Sequence, residues 1–220
     1  MSNPVRVIAI DGPAGSGKST VARQVAARLG LDYLDTGAMY RAVAFEAIRR
    51  GIDPEDAPTV AELTRQMELD VAARVLVNGT DATVEIRGPE VTRAVSVVAA
   101  NPEVRHELVL RQREWAEAHG GGVVEGRDIG TVVFPDADLK VFLTASEDAR
   151  ASRRTKEMLD RDYDQVAADL ARRDRIDSTR AASPLSAAGD AVPLDTTELS
   201  ADQVVERVLA LIAERTPGQR

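Results

Sequence analysis

Residues 5–20 decide what architecture the chain can adopt. Val5 to Ile10 is an apolar run that reads as a buried strand. Gly12, Pro13, Ala14, Gly15, Ser16, Gly17, Lys18 and Ser19 then match G-x-x-x-x-G-K-[ST] at every fixed position, with Thr20 directly behind. Val21, Val25, Ala26 and Leu29 follow at helical spacing. Strand, glycine-rich loop and helix together form the setting that a phosphate-binding loop needs. The glycines let the backbone turn tightly and aim several N–H groups at one anion. The helix that follows adds its dipole. Lys18 is placed to reach the β- and γ-phosphates of a nucleoside triphosphate, and the Ser19 hydroxyl to ligate Mg²⁺. The loop says nothing about which molecule receives the phosphate.

Composition narrows the setting. A chain of 220 residues fits one α/β core with an insertion. Hydrophobic residues make up 44% but aromatics only 3%, so Val, Leu, Ile and Ala must build the core. Cysteine is absent, which excludes disulfides, thiolate metal sites and a cysteine nucleophile. His106 and His119 are too few, and too polar in setting, for a metal site. The chain enters a strand almost at once, so no signal peptide is expected, and no apolar run approaches a membrane span. A cytoplasmic protein is expected. A net charge of −8 argues against a nucleic acid polymer as partner. Lysine occurs only at Lys18, Lys140 and Lys156, so Lys18 stands out in an arginine-rich chain. A compact ammonium is what the loop geometry accepts.

Further along, Leu31–Asp35 reads as a short strand, and Thr36 leads into a helix that Gly51 and Pro54 stop. Residues 55–68 read as a short helix and connection. Leu69, Val71, Val75, Val77, Val84 and Ile86 then suggest strands of period two, with Asn78-Gly79 as a turn between them. Pro89 and Pro102 open two helices, and Gly120-Gly121-Gly122 ends the second. Val123–Glu125 and Leu139–Leu143 read as strands, and Ser146 as the start of a helix. Residues 150–180 are almost entirely polar and charged. Val192–Asp195 is a last strand, and Ser200 with Gln203 forms a capping box for a final helix. Residues 216–220 are expected to fray.

Switches, hydrolytic ATPases and small-molecule kinases all use such a loop. A guanine-specific switch carries an Asn-Lys-x-Asp segment, and none of the three lysines lies in one. A hydrolytic ATPase shows an apolar strand ending in a metal-binding acid, for which Val123-Val124-Glu125 is a weak candidate. A kinase for a small phosphorylated acceptor needs a second anion site and arginines that close over the transferring group. Arg41 and Arg127 each follow a glycine-containing loop near a strand end, where ligands sit in open α/β sheets. The arginines of 150–180 are either a solvated helix surface balanced by acids or, beside such a loop, a lid.

The chain resembles the bacterial-type cytidylate kinases along nearly its full length. The resemblance rests on Ile10–Lys18, Leu34–Arg41, Glu125–Ala137, Arg172–Arg180 and Pro184-Leu185. The Gly126-Arg127-Asp128-Ile129-Gly130-Thr131 segment with its tail to Ala137 is the most selective of these. The resemblance implies an α/β P-loop nucleoside monophosphate kinase fold: a five-stranded parallel sheet flanked by helices, a small antiparallel insert and a helical lid. The core would be residues 1–59, 94–149 and 181–220, the monophosphate-binding insert 60–93 and the lid 150–180. The implied reaction moves a phosphoryl group from ATP to CMP or dCMP, with Mg²⁺, in a monomer. The implied acceptor residues are Thr36, Arg41, Ser96, Arg105, Arg127, Asp128, Arg173, Asp177 and Arg180. Lys18, Arg127, Asp128, Arg173 and Arg180 would carry the chemistry. Asp128 has two open roles, holding metal-bound water or reading the base. A kinase for UMP or dTMP, a small-metabolite kinase of the shikimate kinase kind, and a nucleotide-binding module without catalysis are the alternatives. The acceptor is already a phosphate anion, so positioning and charge neutralisation replace a strong general base. Lys18 is expected to face solvent. Residues 150–178 are expected to be held by few apolar contacts and to open readily, with residues 160–163 open to proteolysis.

Overall fold

Strand β1 (Arg6–Asp11) is the centre of a five-stranded parallel sheet. Its sequence is apolar almost throughout because both faces are covered, as a parallel sheet requires. With β2 (Tyr33–Asp35), β6 (Gly121–Gly126), β7 (Leu139–Thr144) and β8 (Val192–Asp195), the order across the sheet is β2-β6-β1-β7-β8. The computed structural model describes residues 6–157 and 162–215. The expectations about residues 158–161, which include part of the protease-sensitive stretch, and about residues 216–220 lie outside them.

Successive residues of β1 face opposite layers. Ile8 and Ile10 join Val123, Val141 and Leu143 under α1 (Lys18–Leu29) and α8 (Ala201–Arg215). Val7 and Ala9 join Leu34 and Val124 under α2 (Thr36–Arg49), α4 (Pro89–Ala100) and α5 (Pro102–His119). The glycine triplet after α5 does more than end that helix. Gly120 caps it, but Gly121 and Gly122 belong to β6. A Cβ on Gly121 would lie 2.0 Å from the Arg6 carbonyl oxygen, so the strand can approach β1 only as glycine. The capping box of α8 forms in both directions: Ser200 N–H donates to Gln203 Oε1 at 2.9 Å and Gln203 N–H to Ser200 Oγ at 3.2 Å.

After α3 (Ala57–Gln66) comes a three-stranded antiparallel sheet, β3 (Leu69–Val71), β4 (Val75–Val77) and β5 (Thr80–Asp81). Asn78 and Gly79 turn between β4 and β5, both at positive φ. The strand expected at Val84–Ile86 does not form. The Asp81 carboxylate accepts from Thr83 N–H and Thr83 Oγ1, which turns the chain out of the ladder, and Glu85–Arg87 close a 3-10 turn. Ile86 is buried by that turn while Val84 is 77% exposed.

Side chains from two helices stitch this sheet and the end of α3 to the rest. Glu46 of α2 is fully buried and accepts from Arg49, Arg50 and the Asn78 amide. Arg111 of α5 donates to the carbonyl oxygens of Thr64, Arg65 and Met67. Helices α6 (Glu147–Glu157) and α7 (Tyr163–Thr179) form a polar hairpin over the glycine-rich loop. It has a small apolar seam of its own, where Ala151, Val166 and Leu170 enclose Ala14. Among the described residues, no helix is long and apolar enough to cross a membrane.

Candidate active site

The C-terminal ends of β1, β2 and β6 open on one pocket, roofed by α6 and α7. On the donor side the loop turns through Gly12, Gly15 and Gly17, all at positive φ. A Cβ on Gly12 would sit 2.1 Å from the Leu143 carbonyl oxygen, so the loop can leave β1 only there as glycine. Lys18 does not face solvent: it is 7% exposed, and its Nζ donates to Pro13 O at 2.9 Å. Helix α1 begins at Lys18 itself, which seats the ammonium under the loop, among Arg127, Glu125 and Asp11. Burial pushes that ammonium down, and the Arg127 charge adds to the effect. Ala14, Gly15, Lys18 and Ser19 line the pocket. Ser16 is buried, and its carbonyl oxygen takes a hydrogen bond from Thr196 Oγ1. Thr20 is exposed on α1 and does not line the pocket.

Glu125, only a weak candidate for a metal-binding acid in the sequence, lies beside the loop's Ser19. Ser19 Oγ donates to Glu125 Oε2 at 3.0 Å, and Tyr33 OH donates to the other carboxylate oxygen. Burial pushes the Glu125 carboxyl up and Asp35 adds to it, while Lys18 opposes. A hydroxyl and one or two carboxylates are the hard oxygens that Mg²⁺ takes from protein when substrate phosphates supply the rest. Among the described residues no group of three metal-binding side chains occurs, so the site fits a metal shared with phosphates and not an all-protein cage.

Across from Glu125 lies a cluster of guanidinium groups. Arg41 is held by the Ile86 carbonyl oxygen and Thr92 Oγ1, each at 3.0 Å. Burial, then Arg173 and Arg154, push it down to about 9. Arg127 donates from Nε to Asp177 at 2.8 Å and from Nη1 to Gly12 O at 3.1 Å. Despite burial, Asp177 holds Arg127 in its charged form. Arg173 is pushed down to about 10 by burial and then by Arg127, and its Nε has no hydrogen-bond partner. Arg87, from the 3-10 turn, and Arg154, from α6, line the same space; sequence reading assigns no role to Arg87 and holds Arg154 only as one of the arginines of 150–180. Cations that raise one another's energy in this way are matched to an arriving polyanion. Thr36 begins α2 and donates to the Glu125 carbonyl oxygen at 2.7 Å.

The far end of the pocket holds Tyr40, Val95, Ser96, Ala99, Arg105, Asp128 and Arg180. Arg105 pairs with Asp128 through Nη2, donates to Ala99 O at 3.2 Å and lies 5.5 Å above the Tyr40 ring. Arg180 Nη2 stands 3.8 Å from the other Asp128 oxygen. Both members of the Arg105–Asp128 pair are buried, and among the described residues Arg105 Nε and Arg180 Nη2 have no hydrogen-bond partner. Unfilled buried donors around one fixed acid describe a place for a flat polar ring. The roof is tied to the loop: Arg150 donates to Ala14 O at 3.2 Å and pairs with Asp174 of α7, and Arg153 donates to Thr196 Oγ1 at 2.9 Å beside Gly17.

The family model for cytidylate kinase matches residues 8–214. A cytidylate kinase from Rhodococcus jostii (strain RHA1) is 49% identical over 225 residues, covering 98% of this chain and 98% of its own. One from Geobacillus kaustophilus (strain HTA426) is 50% identical over 217 residues, covering 94% and 96%. Among solved structures, an uncharacterized protein from Eubacterium ventriosum aligns with a TM-score of 0.55 at 14% identity, over 94% of this chain and 98% of that one. At that identity the likeness concerns the fold alone.

Proposed function

The chain belongs to the cytidylate kinase family, and from that membership we infer that it transfers the γ-phosphoryl group of ATP to CMP or dCMP, giving ADP and CDP or dCDP. The observation that carries the reading at the site is the buried Arg105–Asp128 pair. It stands at the far end of a pocket whose near end is the Lys18 loop, with the arginine cluster between them.

Lys18 and the loop N–H groups hold the donor phosphates. Ser19 and Glu125 would hold Mg²⁺, which would supply charge neutralisation to the donor phosphates. Arg41, Arg87 and Arg127 hold the acceptor phosphate in line. Thr36 lines its path. Arg173, Arg154 and Arg180 bring positive charge over the transferring group from the roof. The acceptor phosphate is the nucleophile and needs no base, so orientation and charge supply the rate. Asp128, clamped between Arg105 and Arg180, reads the base with Ser96. Asp177 keeps Arg127 aimed. Residues 60–93 act as the acceptor insert and 150–180 as the lid. The working unit is a monomer, in the cytoplasm where its nucleotide substrates are.

A coupled assay for ADP release tests the activity against CMP, dCMP, UMP, dTMP, AMP and shikimate. CMP and dCMP are expected to lead. A better rate with any of the others, or ADP release that ignores the acceptor, removes the reading.

The lid reading has its own test. Without an anion, Arg41, Arg127, Arg154 and Arg173 oppose one another, and a small Ala14–Ala151–Val166–Leu170 seam with the polar ties of Arg127, Arg150 and Arg153 is what resists opening. Amide exchange across residues 150–178 is therefore expected to be fast in the free protein and slow with both nucleotides bound. Equal protection in the two states would count against closure.

A further inference from the structure

Asp11 is the last residue of β1, directly before Gly12. It is 5% exposed, and among the described residues it forms no ion pair. Its carboxylate faces backbone instead. Oδ1 accepts from Ile129 N–H at 2.9 Å and Oδ2 from Gly130 N–H at 2.8 Å. Burial pushes the carboxyl up to about 6, against the pull of the two amides. A buried carboxylate without a cation on it is a costly way to end a strand.

Those two N–H groups open the π-helical turn Ile129–Val133, and Arg127 and Asp128 lie immediately before it. The turn closes on Asp128, whose carbonyl oxygen accepts from Val132 and Val133. From the other direction, Arg127 Nη1 donates to Gly12 O. The segment 127–130 is thus tied to the root of the donor loop twice, by the Asp11 side chain and by the Gly12 carbonyl. Among the described residues, no other side chain joins the donor loop's root to the amides of this turn.

We propose that Asp11 is a positioning residue for the acceptor, fixing Arg127 and Asp128 against the donor loop so that the acceptor phosphate and base are held in register with the γ-phosphate. This rests on the acceptor roles given above to Arg127 and Asp128. Asp11 touches neither nucleotide. It acts by holding the amides of residues 129 and 130, and so the path of the backbone that bears the two side chains. A displacement of about 1 Å in such a group can cost on the order of a hundredfold in rate.

Asp11→Asn is the sharpest test. It keeps the volume and one acceptor oxygen, and sets an NH₂ against the second N–H. In the folded variant, kcat with CMP is expected to fall about 10- to 100-fold. The CMP dissociation constant should rise, the CMP-over-UMP preference should shrink, and the ATP dissociation constant should stay within about twofold, since the Lys18 loop keeps its own closure. Asp11→Ser, which opens space without repelling an amide, carries the same test where Asp11→Asn does not fold. A role in folding alone would lower the melting temperature and leave kcat per folded molecule and the base preference unchanged, which overturns the proposal. Equal loss of ATP and CMP affinity overturns it too, because Asp11 would then serve the donor loop. Failure of the wild-type protein to use CMP would instead strike the acceptor reading, so the two failures are told apart by which protein shows them.

Discussion

Lys18→Ala is expected to lower turnover at least about a hundredfold while the protein stays folded. The ammonium is buried under the loop and its one hydrogen bond goes to the Pro13 carbonyl oxygen. Burial and Arg127 push it toward its neutral form, so the fold gains little from the charge. In the proposed function the charge is held ready for phosphate oxygens that carry more negative charge as transfer proceeds. Its removal takes away stabilisation of the transition state and relieves a strained cation in the free protein. Turnover at saturating ATP and CMP, measured beside a thermal melt, checks both halves. Turnover within a few-fold of wild type would take the loop out of the chemistry. A collapse of the melting temperature would assign Lys18 to the core.

The wild-type protein is expected to prefer CMP over UMP in kcat/KM by on the order of a hundredfold or more. Cytosine offers an amino donor at N4 and an acceptor at N3; uracil offers an acceptor at O4 and a donor at N3. In the proposed pose Asp128 and Ser96 accept from the amino group, and Arg105 donates toward N3 or O2. Uracil sets acceptor against acceptor at one position and donor against donor at the next. Each buried mismatch costs roughly 1–3 kcal/mol. Arg105→Met should therefore cost CMP far more than UMP and narrow the gap. The substitution also leaves Asp128 buried with only Arg180, at 3.8 Å, so some stability is lost. The ratio of the two substrates, taken on one preparation, is unaffected by how much of it is folded. Comparable kcat/KM for the two bases in the wild type, or an equal loss for both in Arg105→Met, would refute this assignment.

The parts of the fold that sequence reading finds are those written in local spacing: the apolar run of β1, the glycine loop, the Asn78-Gly79 turn and the Ser200–Gln203 cap. Val84 and Ile86 misled because two alternating residues carry too little pattern. The Asp81 side chain, outside that pair, decides the turn. Lys18 was placed at the loop correctly and on the wrong side of it, since its depth depends on where α1 starts. Sequence reading leaves Glu125 a weak metal-binding candidate and Asp11 without a role for one reason. Each meets its partner across more than a hundred residues, Ser19 at a separation of 106 and Ile129 at 118, and only strand pairing brings them together. In the α6–α7 hairpin, helix phase decides which charges turn inward. Arg173, Asp177 and Arg180 share the pocket face, while Arg172 and Arg175 are exposed. Arginine counts alone could not separate the two sets.

The stitching of the antiparallel sheet bears on how such a protein can be recombined. Residues 60–93 look like a cassette in the sequence, yet their seams are made by residues outside them. Glu46 and Arg41 reach in from α2, to Asn78 and to Ile86, and Arg111 reaches in from α5 to three carbonyl oxygens. A graft cut at 60 and 93 would inherit anchors shaped for another sheet, among them a fully buried carboxylate. A transplanted sheet would have to carry Arg41, Glu46 and Arg111 with it.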